Sequence, residues 1–179
     1  MSRPLPPAER REARQGALIV IGLLLFLFEA FLPKPLPWMK FGLANIATLI
    51  ALYWMGFRAA FTVAFFRILI GAVFTGTMFT PGFLLSLSGG FLALAAMGVL
   101  HRLRIFGIVS VSVAGALAHN AGQLLVAAYL LFANNMVLYI APYLLASGVF
   151  TGVVIGYLSW RVLQRLERED GVGGENPGG

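Results

Sequence analysis

Residues 111–125 read Val111-Ser-Val-Ala-Gly-Ala-Leu-Ala-His119-Asn120-Ala-Gly-Gln123-Leu-Leu125. The stretch is apolar enough to form a membrane helix, yet it carries three polar side chains close together. His119 and Gln123 are one helical turn apart and share a face, with Asn120 beside them. Polar groups at membrane depth usually face a bundle interior or a water-filled cavity. The stretch therefore predicts a polar position inside an otherwise apolar bundle.

The composition of the whole chain is that of an integral membrane protein. Of its 179 residues, 59% are hydrophobic and 11% are charged, whereas a soluble domain of this size needs far more charge to cover its surface. The apolar residues also come in long runs, as expected for segments surrounded by lipid. We expect a multi-pass, all-α protein of the cell inner (cytoplasmic) membrane. The absence of cysteine excludes disulfides, thiolate metal sites and cysteine nucleophiles.

The apolar runs predict a bundle of six transmembrane helices. The predicted spans are about Ala17–Leu32, Phe41–Met55, Ala59–Thr75, Phe83–Leu100, Ile108–Phe132 and Val137–Val162. We interpret residues 1–15 as a cytoplasmic polar tail, residues 16–163 as the membrane domain, and residues 164–179 as a charged and then Gly-rich disordered tail. The first run is interpreted as a retained span rather than a signal peptide, because Glu29 interrupts it and no small-residue cleavage site follows.

The basic residues predict the orientation of the bundle. With six spans, both termini lie on one side together with ten arginines, whereas the other side carries only Lys34 and Lys40. The ten are Arg3, Arg10, Arg11, Arg14, Arg58, Arg102, Arg104, Arg161, Arg165 and Arg168. The positive-inside rule then places both termini in the cytoplasm. Because these residues sit at the ends of apolar runs, the net charge of +6 indicates contact with lipid headgroups rather than nucleic acid.

This topology collects the polar membrane residues in the outer half of the bundle. The candidate substrate-binding residues are Glu29, Asn45, Arg67, Ser86, His119, Asn120 and Gln123. Arg67 lies near the midplane, and the others lie below a Pro-rich loop in which Trp38 or Lys40 would act as a lid. Such a layout suits a cavity open to the outside. Any one of the uncharged members could equally well only hydrogen-bond a neighbouring helix.

Arg67 differs from the other candidates because a lone cation inside the membrane needs a partner or water. Glu29 is the only carboxylate in the membrane region, and its depth overlaps that of Arg67. We predict that the two residues pair, directly or through water. The sequence leaves open whether the pair is structural or contacts a substrate.

Small residues recur at four-residue spacing on two of the predicted helices. They are Gly148, Gly152 and Gly156 on span six, and Ala114, Ala118 and Gly122 on span five. Such faces let helix backbones approach closely, so we expect them to serve helix packing rather than the docking of another subunit.

Recognisable catalytic chemistry is missing from the sequence. It has no paired-carboxylate motif, phosphate-binding loop, nucleophile elbow or metal-ligand cluster. His101 and His119 are too few and too far apart for a metal site made by the protein alone. We therefore expect no metal and no cofactor, and a role other than catalysis.

Five features of the sequence stand out together: Lys40-Phe-Gly-Leu-Ala-Asn45, Arg67-Ile-Leu-Ile-Gly71, Ser86-Leu-Ser-Gly-Gly90, His119-Asn-Ala-Gly-Gln123 and the Gly148/Gly152/Gly156 face. With them the chain resembles a known bacterial membrane family, the Gx transporter family, also labelled heptaprenyl diphosphate synthase component I. That family is similar to the substrate-binding S components of energy-coupling factor (ECF) transporters. The resemblance implies a six-helix protein that binds a small molecule near the outer face, with a transmembrane coupling subunit and ATPases as partners. The first span, Ala17-Leu-Ile-Val-Ile-Gly22, lacks the Ala-x-x-x-Ala face that S components often present to the coupling subunit.

Three functional classes follow from these observations. The leading hypothesis is an S-component-like subunit for uptake of a small organic nutrient. The second is a non-catalytic membrane accessory subunit of isoprenoid or heptaprenyl diphosphate synthesis. Prenyl elongation itself needs clustered aspartates to hold Mg²⁺, and the only aspartate here is Asp170 in the tail. The third is a structural subunit of a redox complex.

Overall fold

The computed structural model describes residues 6–32, 42–130 and 136–172, and these residues form helices without any strand. The six helices are α1 (Pro7–Phe31), α2 (Asn45–Met55), α3 (Phe57–Phe74), α4 (Pro81–Leu103), α5 (Ile108–Leu130) and α6 (Met136–Val172). The predicted all-α class is confirmed. Proline stands at the start of α1 and of α4, where its fixed φ suits a helix and its missing N–H is not needed.

Five of the six helices are long and apolar enough to cross a membrane, and α2 is the exception. Its 11 residues rise about 16 Å, roughly half the thickness of a bilayer core. The predicted second span began near residue 41, but a turn with Gly42 at φ +75° comes before the helix. Because α2 packs against α1, α3, α4 and α6, protein rather than lipid surrounds it, and it does not need the length of a lipid-exposed span.

Close contacts at glycines give the relative directions of the later helices. On α4, Gly98 lies against Phe57 and Gly90 against Ile68, so α4 runs antiparallel to α3. The contact of Gly89 with His119 and that of Met97 with Gly115 show that α5 runs back along α4 in the same way. On α6, Gly148 lies against Asn120 and Gly156 against Val109, so α6 is antiparallel to α5.

The first three helices complete the up-and-down path. Gly22 and Phe26 of α1 lie against Arg67 and Gly71 of α3, so these two helices are parallel. The helix between them, α2, runs the opposite way. It follows that α1 begins and α6 ends at the same end of the bundle. The placement of that end in the cytoplasm stays a prediction.

Both terminal helices extend further than the predicted spans. α1 already begins at Pro7, within the stretch expected to be a polar tail, and α6 continues to Val172, beyond the predicted end of the membrane domain. The added turns are rich in Arg and Glu, which are good helix formers. A span predicted from hydropathy leaves out these charged helical turns, because hydropathy detects only the apolar part of a helix. The Gly-rich residues 173–179 lie outside the described residues.

The surface of the bundle carries large apolar side chains, as in a membrane protein. Phe28, Phe74, Val99 and Phe150 are more than half exposed, an arrangement that water would oppose and lipid tolerates. The buried core instead centres on α2, whose Leu49 and Leu52 are fully buried.

Candidate functional site

Glu29 lies near the end of α1 and is 4% exposed. Its two carboxylate oxygens each accept a backbone N–H at 2.9 Å, one from Gly42 and one from Leu43. These N–H groups belong to the turn that leads into α2, where the helix dipole favours a negative charge. Glu29 therefore fixes the start of α2 against the end of α1.

Arg67 lies in the middle of α3 and is 5% exposed. Its Nη2 donates a hydrogen bond of 3.1 Å to Oδ1 of Asn45, the first residue of α2. The side chain lies beside Gly22 of α1, where a built Cβ would lie 3.4 Å from Cδ of Arg67. Among the described residues, no acceptor bonds its buried Nε. One guanidinium donor is thus left to bind water or another molecule.

Glu29, Asn45 and Arg67 form what we call the polar centre, held between α1, α2 and α3. Glu29 and Arg67 are the two ionisable members of the polar centre. Both side chains bond to the same short segment, Glu29 at residues 42 and 43 and Arg67 at Asn45. The segment therefore connects the two residues that the sequence predicted to pair. Direct pairing, or pairing through water, stays a prediction.

On α5, the neighbouring residues His119 and Asn120 turn towards different helices. His119 is buried against Gly89 of α4, where a built Cβ would lie 2.9 Å from its Cε1. Asn120 instead donates its amide N–H to the carbonyl oxygen of Leu144 on α6. Gln123 is also buried. Asn120 thus acts as a link between α5 and α6, which is the alternative that the sequence left open for polar membrane residues.

The serines at the start of α4 bond within the bundle. The Ser86 hydroxyl donates to the carbonyl of Gly82 in its own helix at 2.8 Å. The Ser88 hydroxyl donates at 3.1 Å to the carbonyl of Gly122 on α5. Ser88 was not among the candidate site residues, and its contact with α5 helps to hold α4 and α5 together.

Arg67 and His119 lie at the same level of the bundle, on either side of a pair of glycines in α4. Ile68, the residue after Arg67, packs against Gly90, and His119 packs against Gly89. Because both glycines are buried and lack side chains, the backbone of α5 and the Ile68 side chain of α3 approach α4 closely here. The level of Arg67 is therefore also that of the polar residues of α5.

The glycine face of α6 packs directly on α5. A Cβ built at Gly152 would lie 2.7 Å from Cα of Val113, and one at Gly156 would lie 2.8 Å from Cα of Val109. Gly122 of α5 makes a comparable approach to α4, whereas Ala114 and Ala118 are half-buried. Backbone contacts of this kind leave no space for a larger residue at the glycines.

A protein-family model describing heptaprenyl diphosphate synthase component I matches residues 18–162. The chain belongs to this family. The match runs from the first turns of the apolar part of α1 to α6, so all three residues of the polar centre lie within it. The name heptaprenyl diphosphate synthase component I also implies a partner component. No curated protein and no solved structure matches the chain.

Two further predictions for this family member concern the lid and metal binding. The proposed lid residues Trp38 and Lys40 lie outside the described residues. Within the described residues, no three His, Asp or Glu side chains come together in a group that could hold a metal ion.

The sequence interpretation missed a cleft at the end of the bundle where α1 begins. It is lined by Arg10, Arg11, Arg14, Trp54 and Met55 and has a volume of about 390 Å³. The three arginines were interpreted as markers of orientation and as contacts to lipid headgroups, not as parts of a cleft. The signal that could have revealed the cleft is Trp54 at the end of α2. Because α2 runs antiparallel to α1, the end of α2 lies beside the start of α1, where the arginines are.

Proposed function

We propose that the protein is a non-catalytic, substrate-binding membrane subunit that takes up a small organic nutrient from the outer face. The observation that carries the proposal is the polar centre, in which a buried arginine and a buried glutamate occupy the interior of an apolar bundle. Ionisable groups at membrane depth are costly, and they commonly mark a substrate or ion site.

The short helix α2 supports the same proposal. Its first turn lies at the polar centre, with Asn45 bonded to Arg67 and the preceding N–H groups bonded to Glu29. Discontinuous or short helices whose ends lie inside the membrane are a common way for transporters to build a substrate site. The ligand most compatible with the centre has an acceptor group for the remaining Nε donor of Arg67 and an apolar body.

Native mass spectrometry of the full chain, gently solubilised, tests the proposal. We expect the wild-type protein to retain one small organic molecule and Glu29→Gln or Arg67→Met to lose it. Ser88→Ala is the matched control, because it removes a polar contact between α4 and α5 without touching the polar centre. A wild-type protein without any retained molecule, or equal loss from the control, would contradict the proposal.

A second candidate function follows from the family description. A synthase component without clustered aspartates would serve a catalytic partner, and here the sole aspartate is Asp170. In this role the chain would be a membrane accessory subunit of isoprenoid or heptaprenyl diphosphate synthesis. Such a subunit should copurify with a soluble prenyl synthase, and its deletion should change the length of the prenyl product. Nutrient uptake without either effect would favour the transport role.

A further inference from the structure

The cleft where α1 begins, which we call the arginine cleft, presents three cationic side chains to one space. Arg10, Arg11 and Arg14 come from the first turns of α1, and Trp54 and Met55 come from the end of α2. Arg14 and Glu29 are 15 positions apart on α1, so the cleft lies about 22 Å from Glu29 along the helix. It is therefore separate from the polar centre and from the function proposed for it.

Contacts with α2 fix two of these arginines in place. Nη2 of Arg11 donates at 3.2 Å to the carbonyl of Met55 at the end of α2. The guanidinium carbon of Arg14 lies 4.5 Å from the centroid of the Trp54 ring, a cation–π geometry. Preorganised arginines lose less conformational freedom on binding an anion than free ones would.

The described lining of the cleft carries only positive charge. None of the described residues that line it is acidic, and Glu9 and Glu12 of the same helix are exposed. Three positive charges within one cleft attract anions, and guanidinium groups match the oxygens of phosphate with paired hydrogen bonds. A volume of about 390 Å³ is within the range of small-molecule sites, about 300–1,000 Å³.

The position of the cleft favours a ligand at the membrane surface. α1 changes from charged to apolar residues immediately after Arg14, from Gly16 onwards, which marks the boundary between water and hydrocarbon. Trp54 lies at the same level, and tryptophan is enriched at that boundary. Basic residues there bind anionic lipid headgroups or soluble phosphates.

We propose that the arginine cleft binds a phosphate group at the membrane surface, with Arg10 and Arg14 as its principal ligands and Arg11 holding the end of α2. The phosphate belongs either to the headgroup of an anionic lipid or to a soluble diphosphate. Both sources present the same oxygens to the guanidinium groups.

The experiment uses the full chain in neutral detergent with three probes: phosphatidylglycerol, inorganic pyrophosphate and, as a lipid control without phosphate, diacylglycerol. The readouts are the thermal unfolding midpoint and the retention of the probe in native mass spectrometry. A bound probe at saturating concentration should raise the midpoint by about 5 °C. The test variant is Arg10→Gln/Arg14→Gln. The control Arg102→Gln/Arg104→Gln removes the same charge from exposed positions at the end of α4.

We expect the test variant to bind the effective probe about tenfold more weakly and the control to bind it as the wild type does. Arg10→Lys/Arg14→Lys keeps the charge without the paired geometry and should bind with intermediate strength, which separates lost binding from lost folding. A response to phosphatidylglycerol alone identifies a lipid headgroup, and a response to pyrophosphate identifies a soluble phosphate. No response to either probe, or equal weakening in the control, would overturn the proposal.

Discussion

Arg67 in the middle of α3 donates a hydrogen bond of 3.1 Å to Asn45, the first residue of α2. A cation inside the membrane is thus bound to the start of the short helix that lies at the centre of the bundle. Asn45 supplies the acceptor that Arg67 needs, and the same bond holds the start of α2 against α3. The same segment also receives the carboxylate of Glu29, so stability and the proposed binding site depend on the same few residues.

The bond between Arg67 and Asn45 predicts a measurable coupling energy. Asn45→Ala should lower the free energy of unfolding by about 2 kcal/mol, because a buried hydrogen bond to a charged group is lost. In an Arg67→Met background the same change should cost less than about 1 kcal/mol. A double-mutant cycle, measured by detergent-induced unfolding in mixed micelles, gives the difference. Additive effects of the two changes would contradict the bond.

Glu29→Gln should lower the free energy of unfolding by about 3 kcal/mol. The change removes the negative charge near Arg67 and turns an amide N–H towards the N–H of Gly42 or Leu43. Glu9→Gln, at an exposed position in the first turn of α1, is the control and should stay within about 0.5 kcal/mol. Equal effects of the two substitutions would show that the buried contacts of Glu29 do not contribute to stability.

Gly152→Ala should strongly destabilise the bundle, because the new Cβ would lie 2.7 Å from Cα of Val113 and backbone atoms cannot move aside. We expect a cost of about 2 kcal/mol, in the range of overpacking a core. Gly16→Ala on α1 has no atom within 4 Å and should stabilise its helix by about 0.5–1 kcal/mol. Thermal unfolding midpoints of the two variants, compared with the wild type, should move in opposite directions.

Arg104→Gly should stabilise the protein. Arg104 ends α4 with φ +58°, in the left-handed region, where a residue with a Cβ costs roughly 1 kcal/mol and glycine does not. The matched control is Arg102→Gly, which removes the same charge within the last turn of the helix and should destabilise by about 0.5–1 kcal/mol. A lower unfolding midpoint for Arg104→Gly would contradict the explanation.

The class of protein and most helix positions could be predicted from residue types alone. Long apolar runs predict α1, α3, α4, α5 and α6, because each such segment must satisfy its own backbone hydrogen bonds in lipid. Glycines every four residues on α6 likewise predict a close helix contact, and Gly152 lies against α5.

The partners of the polar residues could not be predicted in the same way. Periodicity indicates that His119 and Asn120 are neighbours on a helix, but it does not say which helix lies against each of them. In the structure His119 meets α4 and Asn120 meets α6. The binding roles of the candidate residues stay predictions, which the ligand experiments above address.

Residue types along the chain are enough to predict a bundle of membrane helices, because hydropathy and the cost of an unpaired backbone in lipid act locally. Three features emerge only when the helices pack: α2 is a short helix enclosed by its neighbours, Arg67 bonds to Asn45, and three arginines of α1 share a cleft with Trp54. These features depend on which helices pack together, and packing joins residues that are far apart in the chain.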